Sequence, residues 1–249
     1  RDKERLNGYL TLPAPAAKAS PMVVVVHGGP HGVRDHWHWE PWSQLLSSRG
    51  YAVLQVNFRG SGGYGQHFET AGYRQWGGAM ADDLTDATRW AIERGHADPK
   101  RICIMGASFG GYAALMGVVR EPDLYQCAIS YAGVSDLHLM RSQGDISDSK
   151  FGRRYLDMTL GKDAAELDRF SPTRQASRIK AAVMLIHGDE DERVPIAHAK
   201  AMRNALEKDG KTVDWLVKGN EGHGFYRQEH RLEVFERVLS FLATHTAAK

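Results

Sequence analysis

Residues 101–119 read RICIMGASFGGYAALMGVV, and the fold is decided inside them. Arg101 to Met105 is a short apolar run with the look of a buried strand, and Phe109 to Val119 has helical spacing. Between them, Gly106-Ala107-Ser108-Phe109-Gly110-Gly111 fits G-x-S-x-G. That spacing has a mechanical reason. A sharp strand-to-helix turn forces strained backbone at the serine, and small flanking residues let neighbouring chain approach without clashes. The hydroxyl then projects above the sheet at the positive end of the following helix, with the amide of Phe109 aimed where an oxyanion would develop. A glycine-rich turn with an incidental serine is the plainer alternative. The strand before it and the helix after it weigh against that.

Outward from this turn the chain alternates. Strands are expected at Gly8 to Leu12, Val23 to Val26, Tyr51 to Phe58, Gln126 to Tyr131, Ala182 to His187 and Val213 to Val217. Helices are expected at Trp42 to Ser48, Asp82 to Arg94, Pro195 to Lys208 and Glu229 to Ala243, with a surface turn over 13–21. Strands alternating with helices imply an α/β protein with a mostly parallel sheet flanked by helices, whose sites form at the carboxyl ends of the strands. The stretch 133–176 breaks the rhythm. It is polar, shows only short helical patches, and a strandless segment this long is usually a lid or binding element.

The chain has 249 residues, 42% hydrophobic and 25% charged, which suits a globular domain and excludes a disordered one. Lys+Arg 32 against Asp+Glu 30 leaves a net charge of +2, so no global field favours nucleic acid or an anionic membrane. The longest aliphatic runs are far too short to span a bilayer. Two cysteines make no disulfide framework, and Cys103 and Cys127 read as small buried apolar residues on strands. The chain begins at Arg1 with neither an initiator Met nor a signal segment, so it reads as a processed or excised piece. Localisation stays open, with the cytoplasm favoured over secretion.

A serine hydroxyl needs a base within hydrogen-bond reach, and the base needs an orienting carboxylate. In this architecture the order is Ser, then Asp or Glu, then His. Of the six histidines after Ser108, His138 lies in the irregular stretch, His198 and His230 fall within helices, His245 is in the tail, and His187 precedes the acidic turn. His223 remains, flanked by Gly222 and Gly224 just after the last strand. The acid lies among Asp189, Glu190, Asp191 and Glu192, and the residues alone do not choose between them. His27-Gly28-Gly29-Pro30 follows the first buried strand and supplies the second oxyanion amide, assigned to Gly29.

Other signals carry less. Gly60-Ser61-Gly62-Gly63-Tyr64-Gly65 satisfies G-x-G-x-x-G, but a dinucleotide site needs a helix to begin at the loop, and residues 66–78 are polar and glycine-broken. His31, His36 and His38 sit among Trp37, Trp39 and Trp42 with no acid or cysteine to complete a ligand spacing, so an aromatic patch is favoured over a metal. Trp37, Trp39, Phe151, Tyr155 and Tyr226 are candidate pocket walls, Tyr226 being counted among the substrate-binding residues.

His27-Gly28-Gly29-Pro30, the run from Asn57 to Gly65, Gly106 to Tyr112, His187 to Pro195 and Gly222-His223-Gly224-Phe225 stand in one order. Together they resemble the catalytic domain of the prolyl oligopeptidase family (S9) of serine peptidases, in its acylaminoacyl-peptidase and dipeptidyl-peptidase-like branch. The resemblance implies an α/β-hydrolase fold and selects Asp191 as the acid, completing a Ser108, Asp191, His223 triad. It implies that Arg193 binds a substrate carbonyl and that Val194 lines the pocket for the residue whose carbonyl is attacked. Some members carry a tyrosine oxyanion donor where this chain has His27, which leaves the second donor to Gly29. Family members usually bear an N-terminal β-propeller, expected to be absent from these 249 residues, which would then form a single catalytic domain. The implied activity is acyl-enzyme cleavage of a short peptide, with an acyl ester as the alternative substrate and a non-catalytic binding module as the remote one. No metal or organic cofactor is needed. A missing propeller domain or a second copy of the chain are the partners to expect.

Overall fold

The computed structural model describes residues 1–15 and 19–248. Of the turn expected over 13–21, residues 16–18 lie outside the described residues. The strands are β1 (Asn7–Thr11), β2 (Ser20–Val26), β3 (Ala52–Asn57), β4 (Ala97–Ala107), β5 (Cys127–Tyr131), β6 (Ala182–Gly188) and β7 (Val213–Lys218). They form one sheet in the order β1-β3-β2-β4-β5-β6-β7. Only β1 runs antiparallel to its neighbour; every other pair is parallel. This is the α/β-hydrolase fold.

The apolar pattern explains the layers. Met22, Val23 and Val24 are inaccessible to solvent on consecutive positions of β2, as a strand covered on both faces requires. Val24, Ile104, Ala128 and Val183 face one side with the helices α3 (Ala79–Glu93), α4 (Phe109–Arg120) and α9 (Ala197–Lys208). Val23, Met105, Ile129 and Met184 face the other with α1 (Pro41–Ser48) and α10 (Gln228–His245). The expected strands and helices all form, with ends shifted by a few residues. A short helix α2 (Gln66–Thr70) was not expected, because its five residues are too few to show a period.

The cysteines correct the sequence reading. Cys103 and Cys127 are paired in a disulfide, not separate apolar residues. They are register partners on β4 and β5, so both side chains leave the same face, with Cα atoms 4.7 Å apart. Register is a long-range property, invisible in either strand's own residues.

The excursion between β5 and β6 contains no strand. It folds as α5 (Leu137–Ser142), α6 (Asp145–Asp148), α7 (Lys150–Thr159), α8 (Ala164–Arg169) and a 3-10 turn at Pro172–Arg178. Three of these helices start on side-chain caps: Asp136 on the amides of His138 and Leu139, Ser149 on Gly152, and Asp163 on Glu166.

Candidate active site

Parallel strands deliver their following loops to one edge, so the loops after β2, β4, β6 and β7 converge there. After β4, Ser108 has φ 59° and ψ −120°, a left-handed conformation that costs a non-glycine residue about 1–3 kcal/mol. Two close approaches allow it. A Cβ on Gly110 would lie 2.1 Å from the Val26 carbonyl oxygen, and one on Gly106 would lie 2.5 Å from the same atom. Glycine at both positions lets the start of α4 press directly on β2. The Ser108 amide donates to the Tyr131 carbonyl at 2.9 Å, while its hydroxyl has no hydrogen-bond partner among the described residues.

The loop after β2 runs past this serine. A Cβ on Gly28 would lie 3.5 Å from Ser108 Cβ, and Gly29 has φ +111°. Neither the Gly29 amide nor the Phe109 amide donates to an acceptor among the described residues. The ring of Phe109 is buried against Phe58, Trp76 and Tyr112, which fixes the first residue of α4.

The acid and the base meet. His223 Nδ1 donates to Asp191 Oδ2 at 2.8 Å. With the proton committed to Nδ1, the lone pair of a neutral ring sits on Nε2, which is the basic position a hydroxyl needs. Asp191 alone of the four acids is buried; Asp189, Glu190 and Glu192 are exposed. Its Oδ1 accepts from the amides of Arg193 and Val194, each at 2.9 Å. His187, itself buried, donates from Nε2 to the Val194 carbonyl at 2.7 Å and stands 3.4 Å from Asp191 Oδ2. Burial by itself would raise the Asp191 carboxyl, but His187, His223 and the Val194 amide outweigh it and hold the group well below the usual carboxylate range. No hydrogen bond links Ser108 to His223, so the structure joins imidazole to carboxylate and leaves the hydroxyl unbonded.

The loop carrying His223 is held by two residues that the sequence did not single out. Glu221, fully inaccessible in its side chain, accepts from the amides of Tyr226 and Arg227 and from His230 Nδ1. Tyr131 accepts on its hydroxyl from the Phe225 amide at 2.7 Å, so one residue bonds both the serine turn and the histidine loop. Glu221 had a local signal, an acid two positions before the histidine. Tyr131 had none beyond being the last residue of a strand.

The residues assigned to substrate binding are spread. Val194 is buried beside Asp191, and Tyr226 is 80% exposed. Arg193 pairs through Nε with Asp145 of the excursion at 2.8 Å, and its Nη groups have no ion-pair or hydrogen-bond partner among the described residues. Trp37, Trp39 and Phe151 are also largely exposed, whereas Tyr155 is half-buried against the His31 ring. The glycine run at 60–65 packs chain on chain, with Gly62 against the backbone of Gly32. Among the described residues no three His, Cys, Asp or Glu side chains converge as a metal site, and no helix is long and apolar enough to cross a membrane.

A sequence model of the prolyl oligopeptidase family matches residues 37–249. The chain is 37% identical to dipeptidyl aminopeptidase BIII of Pseudoxanthomonas mexicana, over 98% of this chain and 37% of that protein. It is 34% identical to the acylamino-acid-releasing enzyme of Arabidopsis thaliana, over 89% of this chain and 30% of that protein. Among solved structures, a puromycin-hydrolyzing peptidase of Mycobacterium tuberculosis superposes with a TM-score of 0.90 at 29% identity, covering 98% of this chain and 38% of that one. The chain therefore spans about a third of the length of these relatives.

Proposed function

The chain belongs to the prolyl oligopeptidase family, and from that premise we propose that residues 1–249 act as one catalytic unit cleaving short peptides through an acyl-enzyme. The observation that carries this is the bond from His223 Nδ1 to the buried Asp191 carboxylate, which leaves Nε2 as the base on the edge where Ser108 is presented. Ser108 Oγ attacks the substrate carbonyl as its proton passes to His223 Nε2. The carbonyl oxygen becomes an oxyanion held by the amides of Gly29 and Phe109, at the positive end of α4. His223 then gives the proton to the leaving amine, and water, activated by the same ring, hydrolyses the acyl-enzyme. Asp191 stays ionised throughout and stabilises the imidazolium. The hydroxyl–imidazole bond closes with substrate in place, since catalytic hydrogen bonds commonly tighten only then.

Arg193 would take a substrate carbonyl with its Nη groups while Asp145 steadies Nε. Tyr226, exposed on the loop that carries His223, would meet the substrate, and Val194, buried beside Asp191, would shape its pocket from behind. Trp37, Trp39, Phe151 and Tyr226 lie in segments that leave the carboxyl ends of strands, and their exposure suits cover by a further domain or a second copy of the chain. Turnover of a peptidyl-aminocoumarin, abolished in Ser108→Ala with folding intact, is the expected result. Turnover of a p-nitrophenyl acyl ester without any amide cleavage would make the chain an esterase instead.

A further inference from the structure

We propose that Asp145 is a positioning residue for Arg193, through which the excursion aims the guanidinium at the substrate and sets a preference for acylamino acids and peptides over simple acyl esters. This rests on the serine-hydrolase mechanism and on the role given to Arg193 above. The excursion docks at two points on the turn that carries the catalytic acid. In the side chains, Arg193 Nε lies 2.8 Å from Asp145 Oδ1 and 3.0 Å from Oδ2. In the backbone, the Asp145 amide donates to the Glu192 carbonyl at 2.9 Å. Gly144, with φ +90°, presses on the same turn. A Cβ there would lie 2.9 Å from the Arg193 carbonyl oxygen and 3.0 Å from that of Glu192, so the close approach requires glycine.

Both ends of the pair are held by backbone. The Arg193 amide donates to Asp191 Oδ1 at 2.9 Å, which ties the arginine to the triad acid two residues earlier. On the other side, a Cβ on Gly152 would lie 1.8 Å from the Ile146 carbonyl oxygen. Arg153 Nη1 donates to the carbonyls of Ser147 and Asp148, so α6 is locked onto α7. An ion pair between two half-exposed side chains adds little stability. Its effect here is directional. A guanidinium is a rigid plane of five N–H donors, and engaging Nε leaves the outer Nη edge turned away from Asp145. The long side chain is then pre-oriented, so less rotamer entropy is lost when substrate binds. A substrate can use that edge only if a carbonyl is attached to the nitrogen of the residue being cleaved. Acylamino acids and peptides carry such a carbonyl; plain acyl esters do not.

The test uses two p-nitrophenyl esters with the same leaving group, N-acetyl-alanyl and butyryl, which differ in whether that carbonyl is present. The quantity read is the ratio of their kcat/KM values in the full chain, in Asp145→Ala, in Arg193→Leu and in the double variant. Because both side chains are half-exposed, all three variants should fold, with Tm within about 4 °C of the parent. Asp145→Ala should lower the ratio about 5–20-fold, mainly through KM of the acetylalanyl ester, and Arg193→Leu at least as far. The double variant should match Arg193→Leu, since Asp145 acts only through the guanidinium. An unchanged ratio in Asp145→Ala would overturn the proposal. So would equal losses on both esters, or a further drop from Arg193→Leu to the double variant. An unchanged ratio in Arg193→Leu would instead refute the role given to that arginine. A parent chain that hydrolyses neither ester and is not modified at Ser108 by a fluorophosphonate would refute the underlying serine-hydrolase mechanism.

Discussion

Tyr131 bonds the serine turn through its carbonyl and the histidine loop through its hydroxyl. Tyr131→Phe keeps the first bond and the ring packing on Phe225 but leaves the Phe225 amide unpaired. That should cost about 1–2 kcal/mol, a Tm drop of about 2–8 °C in a domain of this size. Loosening the loop should also lower kcat about 10-fold with little change in KM, which steady-state kinetics on a peptidyl substrate would read. Wild-type kcat in this variant would show that the loop needs no such anchor. Individual side chains were unevenly legible. Ser108 and His223 stand out by order and glycine context. Asp191 does not, because four adjacent acids look alike until folding buries one of them under two amides and two imidazoles. Nor does a role for Tyr131, whose partners lie 23 and 94 residues away.

Among the elements, α4 is where local sequence and tertiary packing agree most closely. Its Gly110 is demanded by the Val26 carbonyl, so Gly110→Ala should overpack that contact and destabilise the fold by about 2–3 kcal/mol or more. Gly219→Ala is the matched control: its added Cβ would meet only Asp189 Oδ2 at an ordinary 3.6 Å. Urea unfolding of the two variants should separate them clearly, and equal midpoints would contradict the close approach. Strands and long helices were readable from their periods, because burial on one or both faces imposes them. The excursion was readable only as strandless with short helical patches, since its helices are short and depend on caps and on packing against the hydrolase core. The Cys103–Cys127 pairing was hidden for a different reason: it depends on how β4 and β5 align.

Across the whole molecule, buried imidazoles set the response to acid. Burial lowers His27, His31 and His198 to about 4, so each is neutral when folded and takes up a proton on unfolding below about pH 6.5. The unfolded chain then binds more protons, and stability falls as pH drops from about 6.5 toward 4. Asp35 opposes this. Burial raises its carboxyl to about 6, so folding favours its neutral form and acid relieves that group. Three imidazoles outweigh Asp35 and Asp83, whose carboxyl burial also raises, and leave a net loss of about 2–4 kcal/mol between pH 7 and pH 5, a Tm decrease of about 5–15 °C. A Tm that stays flat over that interval would show that these rings are not held neutral.

Catalysis itself turns on whether His223 activates Ser108 with Asp191 behind it. The most direct measurement is the rate at which a fluorophosphonate modifies the intact chain, with the modified residue located by mass spectrometry. Modification should fall on Ser108, vanish in Ser108→Ala, and slow by about 100-fold or more in His223→Ala and Asp191→Asn, as expected for a serine that depends on its base. Equal rates in the parent chain and His223→Ala, or no modification of Ser108 at all, would contradict it.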